Sequence, residues 1–576
     1  MKFRSILFPL ALTGLFACTR LQDGKYTLVV LTMNDVHGAW FDSTYVDGKV
    51  KESLFAVNYY VDSVRRAEGA DHVILLDAGD CLQGDNAAYY YNYVDTKSPH
   101  LYPRLMEYMK CDAVAIGNHD IEAGHPVYDR VAKELKERGI DMLGGNYIRN
   151  DDGKPYFPLY RIVNRAGLRV AIVGYGNANI KAWLSEDVWE GMHFERIAEV
   201  IQKDVDSIKA REKPDVVIAV MHTASGLGDG TIAESEALDV LNSVRGVDFV
   251  ICGHDHKPYV ETRDTCALIN TGSRSRFVGY GRLELEVKDG DIVSRSYEAK
   301  LIPVNPRKAD PAMKEHFKGE FEAVKAFTLR EMGVLMDDFV TRDSYLGMCP
   351  YIDFIHYVEL VSTGADISFA APLTYDGRTD AGTLIYNDLF TIYPYENQLY
   401  KVPMTGRQVR EYLERSYDDW IQNPSEGHVL KIVRRDDPRN SQKSWSFSAR
   451  SYNFDSAGGL FYTVDVTKPR GQRVSIASMA DGTPFDEDRT YTVAMTSYRA
   501  NGGGDLLKEG AGIEDAAPII IERYPEIRSL IYDYLLKEKV IDPGVTSDPG
   551  VIGRWKFVPE NVAGPAMERD LDLLFP

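Results

Sequence analysis

Five apolar runs in this 576-residue chain end in short polar clusters built from His, Asp and Asn. Residues 29–32 lead into Asn34-Asp35-Val36-His37-Gly38, and residues 74–76 into Asp77-Ala78-Gly79-Asp80. Residues 114–116 lead into Gly117-Asn118-His119-Asp120, and residues 218–220 into Met221-His222-Thr223. Residues 249–251 lead into Cys252-Gly253-His254-Asp255-His256. Imidazole and carboxylate donors suit Zn, Mn or Fe rather than a thiolate site. Two divalent ions held about 3.5–4 Å apart need a shared ligand, and a carboxylate can bridge where a neutral imidazole cannot. Asp80, on a Gly-Asp turn in the middle of the set, is the natural bridge. Taken singly, an Asp-x-His or a Gly-Asp is more often a turn than a ligand. Five such clusters in order, each closing an apolar run, point to a metal centre.

Elements able to gather those clusters are legible around them. Strand-like runs fall at 26–33, 72–77, 113–116, 169–174, 215–221 and 247–252, with amphipathic helical stretches such as 54–66 and 130–138 between them. Strands alternating with helices imply an α/β domain whose sheet is covered on both faces. The carboxyl ends of strands in such a sheet lie along one edge, where the clusters converge. Residues 267–287 read as strands that close this domain, and 310–330 as a charged amphipathic connecting helix with Ala312, His316, Phe317, Phe321 and Val324 on one stripe. A second, mixed domain follows to about residue 536, and the tail 537–576, with two Pro-Gly pairs, is expected to wrap the surface.

Composition narrows the function classes. Apolar content of 44% and charged content of 26% are those of a globular chain. The net charge of −20 argues against a nucleic-acid polymer as partner, because such proteins gather positive charge against phosphates. A phosphate-bearing substrate would then need its positive field from bound metal. Lys2 and Arg4 followed by the short apolar stretch 6–16 read as an export signal over 1–17. Leu15-Phe16-Ala17-Cys18 has the look of a lipobox, with Cys18 as the lipidated first residue of the mature chain; the other reading is a plain signal peptide with an incidental cysteine. The expectation is an exported protein, lipid-anchored on the periplasmic or cell-surface side and touching membrane only through that anchor. The five other cysteines, Cys81, Cys111, Cys252, Cys266 and Cys349, show no CxxC pair and no disulfide framework.

Together, Asp35-x-His37, Gly79-Asp80, Gly117-Asn118-His119-Asp120, His222 and Gly253-His254-x-His256 resemble the signature of calcineurin-like metallophosphoesterases. The resemblance implies two divalent ions (Mn, Zn, Fe, Co or Mg), one held by Asp35, His37, Asp80 and His256 and the other by Asp80, Asn118, His222 and His254. It makes His119 a donor to the phosphoryl or leaving oxygen. Related nucleotidases place an Asp three residues after that histidine; here Glu122 stands there and Asp120 is adjacent, so either carboxylate could orient the ring. The second half is similar to the C-terminal domain of the periplasmic 5′-nucleotidase family, in which two aromatic rings sandwich the base. Tyr395 and Tyr498 match those rings, Asn397 a base contact, and Asp505 an acidic contact to ribose or base.

The implied fold is α/β: a four-layer α/β-β/α metallophosphoesterase domain (25–305), a linker helix (306–340), an α+β substrate-binding domain (341–540) and a tail (541–576). True 5′-nucleotidases usually carry an Asn-Gly-Gly-Gly-x-Arg segment; this chain has Ser368-Phe369-Ala370-Ala371-Pro372-Leu373 instead. Tyr452-Asn453-Phe454-Asp455, Asp465-Val466-Thr467-Lys468-Pro469 and Tyr498-Arg499-Ala500 look most like the 2′,3′-cyclic-nucleotide 2′-phosphodiesterase/3′-nucleotidase branch. The leading expectation is that activity, on small nucleotides, by a monomer. A 5′-nucleotidase or UDP-sugar hydrolase is the alternative, followed by a non-catalytic nucleotide-binding lipoprotein and by a metallophosphoesterase of non-nucleotide esters.

Overall fold

A computed structural model describes residues 21–395, 397–436 and 443–576. The signal stretch and Cys18 lie outside the described residues, as does Glu396.

The first domain is built on two six-stranded sheets. One runs in the order Asp291–Pro303, Phe277–Lys288, Gly24–Met33, Val73–Asp77, Ala113–Ala115, Asp141–Leu143. The other runs Pro258–Thr262, Ala267–Thr271, Phe249–Cys252, Val216–Met221, Leu168–Tyr175, Tyr160–Arg165. Successive side chains on a strand point to opposite faces. Leu28, Val30, Ile74 and Leu76 therefore meet Ile172, Ile218, Val220 and Ile251 between the sheets. Val29, Leu31 and Leu75 face the helices of the first layer, while Val217, Ala219 and Met221 face those of the fourth. Burial on both faces is why these strands read as unbroken apolar runs. Val29–Met33 pairs in parallel with Val73–Asp77, and Phe249–Ile251 with Ile218–Val220, so their polar clusters leave at the same sheet edges.

The connecting segment holds two helices, Pro311–His316 and Lys318–Thr328, where one was expected. Phe317 breaks them apart with φ −102° and ψ 18°. Its ring is buried among the first domain's helices beside Met313 and Val324. Phe327, at the far end, packs instead into the second domain with Leu335, Tyr386 and Leu389.

The second domain centres on a five-stranded sheet in the order Ser456–Gly458, Ile367–Ala370, Thr490–Thr496, Gln398–Thr405, Glu522–Glu526. Helix Pro350–Thr363 covers one face through Phe354, Ile355 and Val358 against Ala370, Leu399 and Ala494. Helix Gly406–Trp420 covers the other through Val409, Tyr412 and Leu413 against Phe369, Tyr400 and Val493. The expectation that the tail wraps the surface is corrected. Strand Gly553–Val558 pairs in parallel with Leu460–Asp465, and Trp555 and Phe557 are only 5% and 4% exposed. Alternating Trp555 and Phe557 mark one buried face of a strand, a pattern the flanking Pro-Gly pairs obscure.

Candidate active site

The strand-end clusters assemble two adjacent groups of ligand atoms. Asp35, His37 and His256 form one, and Asp80, His222 and His254 the other. The Nε2 atoms of His37 and His256 face each other at 2.9 Å. Asp35 Oδ1 lies 3.3 Å from His256 Nε2 and 3.8 Å from His37 Nε2, and it is buried with no hydrogen-bond partner. In the second group, His222 Nε2 is 3.0 Å from Asp80 Oδ2 and 3.0 Å from Asn118 Oδ1. His254 Nδ1 is 2.9 Å from the same Asn118 oxygen. The N–H of His222 Nδ1 donates to Ala78 O at 2.8 Å, which leaves Nε2 as the nitrogen turned to Asp80 and Asn118.

Backbone geometry sharpens the picture. Asp35, His37, Asp80, His254 and His256 all sit at positive φ, between 47° and 77°. Glycine adopts that region without penalty and a side chain does not, so five such residues in one place mark strain retained for what the side chains do. A Cβ on Gly117 would collide with the Asp80 carboxylate, which explains the glycine ahead of Asn118.

Electrostatics suit a cation. Burial, the largest influence, pushes the His37 imidazole down to about 3 and that of His254 down to about 4, so both rings offer neutral lone pairs. Burial also opposes charge on His222, but the nearby Asp80 carboxylate outweighs it and raises that ring to about 9. A proton there stands where a cation would serve the same carboxylate. Facing ring nitrogens, an orphaned carboxylate oxygen and a buried Asp80 are a donor set that divalent ions fit.

His119 stands beside this centre, its ring centroid 5.4 Å from that of His37. Glu122 Oε2 accepts from His119 Nδ1 at 2.5 Å. Asp120 does not orient the ring: it accepts from the amides of Gly117, Asp80, Cys81 and Leu82 at 2.8–3.0 Å. It therefore positions the loop that carries Asp80. Asn34, which sequence reasoning passed over, orients Asp35: its Nδ2 donates to Asp35 Oδ2 at 2.6 Å and to Gly272 O at 2.7 Å.

The second domain turns one sheet edge toward these residues. Leu399 pairs with Thr496, so the segment before Gln398 and the turn after Thr496 emerge together and bring Tyr395 beside Tyr498. The parallel neighbour Ile367–Ala370 and its partner Ser456–Gly458 deliver Ala371 and Tyr452 to the same edge. A single cavity of about 370 Å³ is lined by Asn118, His119 and His254 on one side and Tyr395, Asn397, Tyr452 and Tyr498 on the other. Tyr452, singled out in the sequence as part of a branch-like segment but not as a ring of the site, stands edge-on to both expected rings, at 6.2 Å and 72° to Tyr395 and 6.3 Å and 79° to Tyr498. Trp183 stacks on His254 at 5.0 Å and 29°, and its carbonyl accepts from Asn501 of the second domain at 3.0 Å. Asp505 is exposed and does not line this cavity.

Arg499 reaches the cavity but offers it nothing. Its five N–H groups are spent on Asp455, Asn453, Gly503 O and Tyr452 O, at 2.6–2.9 Å. Both partners of the Arg499–Asp455 pair are buried. Arg499→Met should destabilise the protein by about 3–5 kcal/mol, the usual cost of leaving one buried charge unpaired. Thermal unfolding measures this, and an unchanged midpoint would rule the role out.

Known proteins resemble this chain in sequence and fold. Residues 28–258 match the calcineurin-like phosphoesterase profile, and residues 328–509 match that of the 5′-nucleotidase C-terminal domain. A 2′,3′-cyclic-nucleotide 2′-phosphodiesterase/3′-nucleotidase of Haemophilus influenzae is 24% identical, over 92% of this chain and 87% of its own. A trifunctional nucleotide phosphoesterase of Bacillus subtilis is 22% identical over 94% of this chain, which spans 40% of that longer protein. In fold, a Staphylococcus aureus structure assigned as a 5′-nucleotidase and solved with α-ketoglutarate superposes with a TM-score of 0.73 at 21% identity, covering 92% of this chain and 99% of its own. With both domains matched in order and the ligand atoms converging where the strands end, the chain is a metal-dependent phosphoester hydrolase of the calcineurin-like phosphoesterase family that carries a 5′-nucleotidase C-terminal domain.

Proposed function

We propose that the chain hydrolyses small nucleotides as a 2′,3′-cyclic-nucleotide 2′-phosphodiesterase and 3′-nucleotidase. The observation that carries this is the single cavity with the metal-ligand side chains at one end and three tyrosines at the other. Asp35, His37, Asp80 and His256 would hold one divalent ion, and Asp80, Asn118, His222 and His254 the other. When bound, such ions supply Lewis-acid polarisation of a phosphoryl oxygen and a lowered pKa for water.

The remaining work falls to the chain's own groups. Glu122 fixes the His119 ring through Nδ1, which leaves Nε2 as the nitrogen that holds or passes a proton at the departing oxygen. Tyr395 and Tyr498 clamp the base, whose π-face any aromatic ring can stack on. Tyr452, edge-on to both rings, and Asn397, a polar contact for the base, line the same cavity. Among the described residues, Arg499 is the one Arg or Lys that lines the cavity, and its donors are spent. A cyclic diester carries one negative charge and a monophosphate, 3′ or 5′, carries two, so a cavity without a free cation favours the cyclic diester over either monoester. The Haemophilus influenzae relative named for this activity spans both domains, which also supports it.

Tyr498→Ala should raise KM about tenfold with kcat little changed, because stacking contributes roughly 1–3 kcal/mol per base; an unchanged KM would remove Tyr498 from the clamp. The deciding assay compares phosphate and nucleoside release from 2′,3′-cyclic AMP, 3′-AMP and 5′-AMP. Turnover of the first two with little of the third is expected. Preference for 5′-AMP would establish the 5′-nucleotidase or UDP-sugar hydrolase reading instead, and turnover of none would leave a nucleotide-binding lipoprotein or a hydrolase of other esters.

Export and lipidation at Cys18 complete the proposal, with the protein a monomer on the periplasmic or cell-surface side. No described helix is long and apolar enough to cross a membrane. Labelled palmitate should enter the parent chain and not Cys18→Ala; equal labelling would exclude the anchor.

A further inference from the structure

A second groove, of about 580 Å³, opens from the same centre, and the mechanism above makes no use of it. His254 and Glu234 line both the groove and the tyrosine cavity, so the two meet at the ligand side chains. Its walls expose apolar surface: Leu227 is 76% exposed, Ile232 43% and Tyr259 36%. One exposed leucine is ordinary, but three large apolar side chains in one concavity beside a reaction centre describe a binding surface. Of its charged members, Asp255 spends its oxygens on Asn270 and the Ser225 amide. With Glu234 and Lys257, the groove sets two carboxylates against one ammonium. A groove with no surplus positive charge cannot hold a second phosphate, and its apolar members favour a neutral ring.

We infer that this groove binds the second ester substituent of a phosphodiester, and that the group it takes is a neutral aromatic one. The inference rests on the proposed nucleotide reading only for the substituent in the first cavity. Phosphorus at the ligand side chains then carries a nucleoside toward the tyrosines and an aryl group toward Leu227. Hydrolysis adds water across whichever ester bond is cleaved, hydroxyl to phosphorus and proton to the departing oxygen.

The test compares the parent chain with Leu227→Asp on the phenyl and methyl diesters of thymidine 3′-phosphate and on thymidine 3′-phosphate itself. Comparing variant with parent on each ester cancels differences in leaving-group reactivity. Leu227 is exposed, so the variant folds. It should lower kcat/KM about tenfold for the phenyl diester, the scale on which an apolar pocket discriminates. The methyl diester and the monoester should stay within about twofold. Tyr259→Ala should repeat that pattern. Equal loss on all three esters, or no loss on the phenyl diester, would overturn the inference. Diphenyl and dimethyl phosphate separate its failure from that of the nucleotide reading. If no thymidine ester is hydrolysed but Leu227→Asp selectively impairs diphenyl phosphate, the groove stands without the nucleotide.

Discussion

Asp80→Asn should cost more than about 100-fold in kcat on every substrate ester, beyond the 10–100-fold typical of residues that only support metal ligands. Asp80 is the one carboxylate proposed to serve both ions. Its Oδ1 accepts the His119 amide at 2.8 Å, and its Oδ2 faces His222 at 3.0 Å. Asparagine keeps the volume and tolerates the local φ of 61°, so the fold should persist while the shared charge is lost. Thermal unfolding should confirm that persistence, and the bound metal per chain should fall. Parent-like turnover in Asp80→Asn would refute a shared ligand outright.

His119→Ala should lower kcat by about 10²–10⁴-fold, the usual worth of a positioned general acid. The loss should depend on the leaving group. It is largest for nucleoside alcohols, which need a proton to depart, and shrinks for 4-nitrophenyl esters, which do not. Glu122→Gln keeps a partner for His119 Nδ1 but removes the charge that favours a protonated ring, and should show a smaller loss with the same dependence. Asp120→Asn should behave differently, because its oxygens hold backbone amides around Asp80. Metal affinity and stability should suffer there, with no dependence on the leaving group. If Asp120→Asn rather than Glu122→Gln reproduced the His119→Ala pattern, the assignment of His119's partner would fail.

Much of this site was legible in the chain because the sheets are double. Residues 28–33 of Gly24–Met33 and all of Val216–Met221 are buried on both faces and so are apolar but for Thr32, which makes the polar clusters at their ends conspicuous. Strands alternating with helices imply the α/β class of the first domain, whereas its four layers are implied by the family resemblance. The choice between Glu122 and Asp120 could have been made from spacing alone. On the helix Asn118–Glu122, residues three apart share a face and adjacent ones do not. The retained strain at the ligand positions has no counterpart in the sequence, because positive φ shows only where glycine is used.

Tertiary placement was not legible. Tyr452 is one of 35 tyrosines, and nothing beside it in the chain says that it stands between two others. Trp183 lies in a loop with no periodicity, and its stacking on His254 and its carbonyl's bond to Asn501 of the second domain both join residues far apart in the chain. Asp505 shows the converse: the family resemblance implies a substrate contact for it, while in the structure it is exposed and does not line the cavity. In the tail, two Pro-Gly pairs suggested surface chain, whereas Trp555 and Phe557 fill the second domain's core.

The decisive measurement strips the protein with a chelator and counts bound divalent ions as they are returned, with hydrolysis of 2′,3′-cyclic AMP followed in parallel. Stripped protein should be inactive, and activity should rise and level off at two ions per chain. Turnover that persists in stripped protein, or that is complete at one ion, would show that the paired ligand groups do not act as one centre.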